Sequence, residues 1–577
     1  MDKNKLDISG RTSPEVTNAT YKPIPEQDME EQAVSRPKSL IKVKASPEEI
    51  DGADEKMLAN DEKIPEVVIL NNDTKSPQNG DAKLDMDEPK QPFVGLTKEE
   101  LMKYANDPFW VRLRWFLFIS FWLLWAGMLV GAVMIIYAAP KCDPPPPRTW
   151  YQQGPLTQLP PDTTPETLTL DKNVQGVIIS WSADAYEALE KNPKGLALIK
   201  AAQKDGTNVI VELEPAVSNV WFEQSERKEA EFDGYYIWKS GSIKGTDSSP
   251  SPPNNWVSPS NVSSWKYSEA RKEYYYIPFA KPHLNFRYPP VVDQFSKVIE
   301  RFLAVNVSGI RLRNAPFLLV NSTFEDEDVN TNLNPDLTLG QYDFFRHAKT
   351  ENLADLASLL LTWRTLIKNK TESGPLMVAE DLAKVESFKF NDSLVVDMPL
   401  MSHIFSKPTV SVNETVNSLN YAFGINRIEW PLWEAKTTAL PKDVFDIITY
   451  LLPGAPLVNV TDRVDVELLK IRDSASIMRG ICGVYGLQNN TILAFIRVTP
   501  GNPGILVAVN PTDTTAVANF PAEIPPLSDL QEVTIRHYSS NYNNTEFKDV
   551  GSKKTATAIP VTPKSAIVLE YVPKMNE

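Results

Sequence analysis

A nearly continuous apolar run extends from Trp115 to Tyr137, and no charged residue lies between Arg114 and Lys141. Its 23 residues make a helix of about 34 Å, enough to cross a hydrocarbon core of about 30 Å. A helix satisfies its own backbone in lipid, where no water can. Trp110, Trp115 and Tyr137 suit the two interfaces as aromatic anchors. A cleaved signal peptide is a poorer reading, because the run is long and starts past residue 100. The pattern therefore predicts a transmembrane helix over 115–139.

The rest of the chain divides around this helix. Residues 1–95 are rich in Asp, Glu, Lys, Pro and Ser and nearly free of aromatics, the composition of a disordered tail. Residues 96–114 form a juxtamembrane segment, in which Thr97 and Glu100 have capping-box spacing. Residues 140–149 form a neck carrying four consecutive prolines, Pro144 to Pro147, which favour a stiff extended spacer. From Val174 the periodicity alternates. Strands are predicted at 177–180, 208–213, 309–312 and 376–379, with helices at 195–204, 291–305 and 353–368 between them. This rhythm implies a parallel sheet with helices outside, over 150–478. Residues 479–577 change character. Segments 492–498, 505–509, 532–537 and 565–572 alternate apolar and polar residues, which predicts an antiparallel β domain, read as a β-sandwich.

Composition narrows the function. The chain has 577 residues and a formal charge of −15, which argues against nucleic acid as a partner. The two cysteines, Cys142 and Cys482, cannot form a disulfide framework for a domain of this size. Cys142 sits beside the apolar run with no local cysteine. That position favours an intermolecular disulfide, with a bond to Cys482 or S-acylation as alternatives. Arg112 and Arg114, with Lys98 and Lys103 behind them, outweigh Lys141 and Arg148, which favours the N-terminus inside. Nine glycosylation sequons follow the run, at Asn261, Asn306, Asn321, Asn369, Asn391, Asn413, Asn459, Asn489 and Asn543, against two before it. The expected topology is type II and single-pass, at the plasma membrane with the C-terminal region extracellular. The four histidines have no metal-ligand spacing, so no metal or cofactor is expected. Gly127 and Gly131, four apart, offer a small-residue face for close helix contact in the membrane.

Several segments resemble a known family. They are 252–258 (PPNNWVS), 274–279 (YYYIPF), 282–287 (PHLNFR) and 451–456 (LLPGAP). Together with the βα rhythm they resemble the α-amylase-type glycosidases. The order of tail, span, juxtamembrane cysteine, Trp150-Tyr151 and glucosidase-like region is similar to the heavy chains of heteromeric amino-acid transporters. The resemblance implies a TIM-barrel-like (β/α) domain. The family's early barrel segment is shortened here between Trp150 and Val174, which leaves fewer than eight complete units an open outcome.

The resemblance also locates an active site. Such enzymes need a nucleophilic carboxylate and a general acid. The nucleophile motif aligns with Gly309–Arg313 and puts Arg313 where the nucleophile belongs. A guanidinium has the wrong charge to form a glycosyl intermediate. The first-motif histidine position is Val217, which cannot hydrogen-bond a sugar. The general-acid position keeps a carboxylate, Glu380, as a remnant. The final Asn-His-Asp motif should fall near 427–433, which holds no His-Asp pair. The resemblance thus implies a non-catalytic subunit, joined through Cys142 and the span to a polytopic light chain that it delivers to the surface. The rival reading is a membrane-anchored α-glucosidase.

Overall fold

The structure is a computed structural model describing residues 97–138, 147–242, 251–331, 336–434 and 438–573. Cys142, the tail 1–95 and Pro144 to Pro146 lie outside the described residues. The chain divides into two units, 1–139 and 140–577.

In the first unit, α1 (Lys98–Ala105) starts at the expected capping box, with the Thr97 amide donating to Glu100 Oε2 at 3.2 Å. The next helix, α2 (Pro108–Ala138), is 31 residues long. It starts before the apolar run because Pro108 suits the first helical turn and Asp107 Oδ1 accepts the Phe109 amide at 3.1 Å. This is the one helix among the described residues long and apolar enough to cross a membrane. Both Gly127 and Gly131 lie on it, and a Cβ at either would meet nothing within 4 Å.

The second unit is built on eight parallel strands. In chain order they are β1 (Leu156–Gln158), β2 (Gly176–Ser180), β3 (Asn208–Leu213), β4 (Gly309–Leu312), β5 (Leu376–Val378), β6 (Leu400–Met401), β7 (Leu432–Trp433) and β8 (Ala455–Asn459). They hydrogen-bond in the order β6-β7-β8-β1-β2-β3-β4-β5, as in a TIM barrel. One bridge, Asp381 to Leu400, joins β5 toward β6, so the barrel is nearly closed. Val209, Ile210 and Val211 are all buried because a parallel strand is covered on both faces. The covering helices include α3 (Pro193–Lys204), α4 (Pro289–Ala304), α5 (Leu356–Lys370), α6 (Val412–Asn420), α7 (Lys442–Leu451) and α8 (Val466–Arg472). On α4, Val291, Phe295, Val298, Ile299 and Phe302 form the apolar stripe that packs on the sheet. The open question of eight units resolves unevenly. All eight strands are present, but no α-helix follows β1 or β5 before the next strand. Between β3 and β4 a three-stranded antiparallel sheet branches off, around the stacked pair Trp256 and Trp265.

The C-terminal part is a six-stranded antiparallel sheet in the order β9-β10-β11-β14-β12-β13. The strands are β9 (Ile481–Leu487), β10 (Ile492–Val498), β11 (Gly504–Asn510), β12 (Glu532–Tyr538), β13 (Lys553–Thr555) and β14 (Ser565–Tyr571). Its second layer is a ribbon pairing Ala516–Ala518 with Ile559–Val561. The expected apolar–polar alternation fails in the centre. Leu493, Phe495, Val507 and Val568 join the barrel's core, while Ile492, Ala494, Leu506 and Ile567 face a separate core. Both faces are buried, so neither needs polar residues.

Two arginines seal this junction without a carboxylate. Arg472 is fully buried and donates to the carbonyls of Gln153 (2.7 Å), Tyr450 (2.7 Å), Gln152 (2.9 Å) and Gly454 (2.6 Å). Burial pushes its guanidinium down to about 9, still protonated at pH 7. Arg497 on β10 donates to the carbonyls of Ile477, Gly480 and Leu451. Trp430 donates to Gln152 at 3.0 Å, and the Arg148 guanidinium lies 4.1 Å over its ring. The segment entering the domain is thereby fixed to the barrel. Arg472→Met would strip this donor from the Gln153, Tyr450 and Gly454 carbonyls and leave Gln152 only the Trp430 bond, so we expect a loss of about 3 kcal/mol or more in urea unfolding. A loss under about 1 kcal/mol would mean that these bonds contribute little.

Candidate functional site

Side chains at the C-terminal ends of the barrel strands enclose a cleft of about 610 Å³. Glu212, near the end of β3, is its buried floor. Its carboxylate is 3.4 Å from Arg311 Nη1 on β4 and 3.4 Å from Arg313 Nε just past β4. Ser180 Oγ donates to it at 2.9 Å, and Gln158 Nε2 lies at 3.5 Å. Arg311 also donates to Gln158 Oε1 at 3.0 Å. Parallel register forces this grouping, because Glu212 pairs with Arg311 across β3 and β4.

Arg313, aligned by the resemblance with the nucleophile position, is half exposed with its Nε turned to Glu212. Val217 is fully buried. Glu380 accepts the backbone amides of Asn314 (2.6 Å) and Ala315 (3.2 Å). Asn314 is left-handed there (φ 52°), which turns both amides toward the carboxylate. Burial raises the Glu380 pKa above its ordinary 4.5, against the pull of those amides and Arg311, and the nearby Glu212 adds to the rise. Asp381 beside it accepts the Ser402 amide and hydroxyl and lies 3.2 Å from His403 Nδ1. The Ser402 bonds brace the β5–β6 seam, and the burial that would raise the Asp381 pKa is outweighed by the bonds from His403 and then Ser402, which lower it.

The cleft also holds residues that the motifs did not flag. Glu214 follows β3, and Glu434 follows β7, one residue past the 427–433 stretch where a His-Asp pair was sought. The usable signal was position, since the residue just past a barrel strand faces the mouth. Trp430 and Trp433 are buried core residues, and Trp433 Nε1 donates to the Pro453 carbonyl at 2.8 Å. His283 is buried, donates through Nδ1 to the Leu284 carbonyl, and is pushed down to about 4 by burial. Among the described residues no group of three or more His, Cys, Asp or Glu could hold a metal ion. Cys482 is free, and burial pushes its thiol up to about 11. Of the sequon asparagines, eight are exposed and Asn321 is half-buried.

Comparison with known proteins finds relatives and folds that this chain is similar to. The model for the alpha amylase catalytic domain matches residues 190–434, and that for the solute carrier family 3 member 2 N-terminus matches 81–157. The human amino acid transporter heavy chain SLC3A1 is 26% identical over 429 residues, 64% of this chain and 61% of that one. The mouse amino acid transporter heavy chain SLC3A2 is 52% identical over 67 residues, 12% of this chain and 13% of that one. Maltase 1 of Drosophila virilis is 32% identical over 184 residues, 31% of this chain and 28% of that one. Among solved structures, a sucrose complex of a MutB mutant superposes with a TM-score of 0.56 at 14% identity, covering 74% of this chain and all of that one. That likeness concerns the fold alone. The fold and cleft define a glycosidase-like barrel protein with one candidate membrane helix. Within that class, the chain is similar to the heavy chains of the 4F2/rBAT type. It spans about three-fifths of the length of the SLC3A1 relatives.

Glu380 gives this site a pH signature. Its folded-state pKa lies above 4.5. Its contribution to stability is therefore greatest below that value and falls as pH rises through the folded pKa. We expect the melting temperature of wild type minus that of Glu380→Gln to fall between about pH 4 and pH 7. A rising difference would mean that the two amides, not burial, control this carboxyl.

Proposed function

We propose that this chain is the non-catalytic heavy subunit of a heteromeric amino-acid transporter. The observation that carries this reading is Arg313, ion-paired to Glu212 where a retaining glycosidase needs a nucleophilic carboxylate. Glu380, the one acid left at a catalytic position, is held by backbone amides. The one candidate span among the described residues cannot form a transport pathway by itself, and α2 carries no charge after Arg114. A polytopic light chain would carry the substrate. The heavy chain would bring it to the plasma membrane and stabilise it there, oriented type II with the sequons outside. Gly127 and Gly131 would support close packing of the span against the light chain's helices. The rival reading, a membrane-anchored α-glucosidase, draws on the likeness to Maltase 1 and on the retained Glu380.

The covalent contact would be Cys142, six residues before Arg148, which is tied to the domain by its bond to the Met478 carbonyl at 2.9 Å. A disulfide needs Cα atoms about 4.4–6.8 Å apart, so the partner cysteine would sit on a short loop near the membrane. The bond would raise effective concentration between chains that also touch elsewhere. On non-reducing gels of cell membranes we expect Cys142→Ser to abolish a reducible high-mass band while part of the surface transport remains. Cys482→Ser should leave that band intact. A band that survives Cys142→Ser and disappears in Cys482→Ser would overturn the assignment.

A further inference from the structure

The cleft has charged groups left over once its internal bonds are counted. Glu212 is matched by Arg311, Arg313 and Ser180. Glu380 and Asp381 are held by amides and Ser402. What remains faces the opening. Arg313 is 53% exposed and is bound through Nε, and its two terminal nitrogens have no acceptor among the described residues. Glu434 has no partner among the described residues. Glu214 has Lys281 Nζ 3.8 Å away, with both side chains partly in solvent. A solvated pair at that distance is weak and readily exchanged.

One unpaired carboxylate, one weakly paired carboxylate and one guanidinium with its two terminal nitrogens open thus line one polar cavity in the part of a barrel where ligands bind. Their complement is a small molecule with one carboxylate and two cationic groups. A neutral sugar fits poorly, since Phe279 is the one aromatic side chain lining the cleft among the described residues. We propose that the cleft binds a free cationic amino acid, its carboxylate on Arg313 and its two cationic groups on Glu214 and Glu434. An Arg–carboxylate pair can be bidentate, which orients the ligand. This site lies wholly within the heavy chain and does not depend on the transport reading. The chain would then sense amino acids apart from any light chain.

The test uses the full-length chain, without a light chain, in phosphatidylcholine nanodiscs, with isotope-labelled lysine in equilibrium dialysis. Saturable lysine binding is expected, weakened about tenfold or more by Arg313→Gln and by Glu434→Gln. Leucine, lacking the second cation, and cadaverine, lacking the carboxylate, should each bind about tenfold more weakly than lysine. Melting without lysine checks that both variants fold. If either does not, lysine should protect Arg313 of the wild-type chain from phenylglyoxal, read by peptide mass spectrometry. Absence of saturable binding up to about 10 mM lysine overturns the proposal. So does an unchanged Kd in both variants, cadaverine binding as well as lysine, or no protection of Arg313.

Discussion

The cleft depends on one buried carboxylate. Glu212 sits at the bottom of the barrel mouth, almost without solvent, and a bare charge there would cost several kcal/mol. Two arginines from the next strand meet it, one buried and one half exposed. Arg311 supplies the low-dielectric contact, and the half-exposed Arg313 adds a weaker, screened one. An aspartate in place of Arg313 would face Glu212 with like charge and lose that pairing. Arg313, which the resemblance aligns with the nucleophile position, therefore also neutralises the floor of the cleft. On the proposed reading, loss of the nucleophile and stability of the mouth rest on the same interaction.

A second constraint lies at the opposite side of the domain's architecture. The C-terminal sheet is buried on both faces, and Arg472 and Arg497 bond carbonyls where its strands and the barrel's last helices meet. Arg472 reaches residues 152 and 153 as well, so the segment that enters the domain shares its fate. Buried arginines with carbonyl partners stay in place because most of their donors are satisfied, Arg497 Nε being the exception, and no carboxylate can be titrated away.

Much of the fold was legible from periodicity. The strands at 208–213 and 309–312 have the bounds read from the sequence, because continuous Val, Ile and Leu runs mark a parallel strand. The strands β6 and β7 are two residues long and carry no period to detect. The central strands of the C-terminal sheet broke the alternation rule because tertiary packing covers both faces. At the site, Arg313, Val217 and Glu380 were singled out by motif. Glu214 and Glu434 were missed because barrel closure, not local sequence, brings them to one cleft. The pairing of Glu212 with Arg311 likewise follows from strand register, which a single strand's sequence does not reveal.

The central claim is that this cleft holds no working nucleophile. It can be tested on the full-length protein with a fluorinated glucosyl fluoride that traps retaining glycosidases as glycosyl adducts. Intact-protein mass spectrometry reads the outcome after long incubation. The account predicts no gain in mass. A stoichiometric adduct mapped to a cleft carboxylate would contradict it.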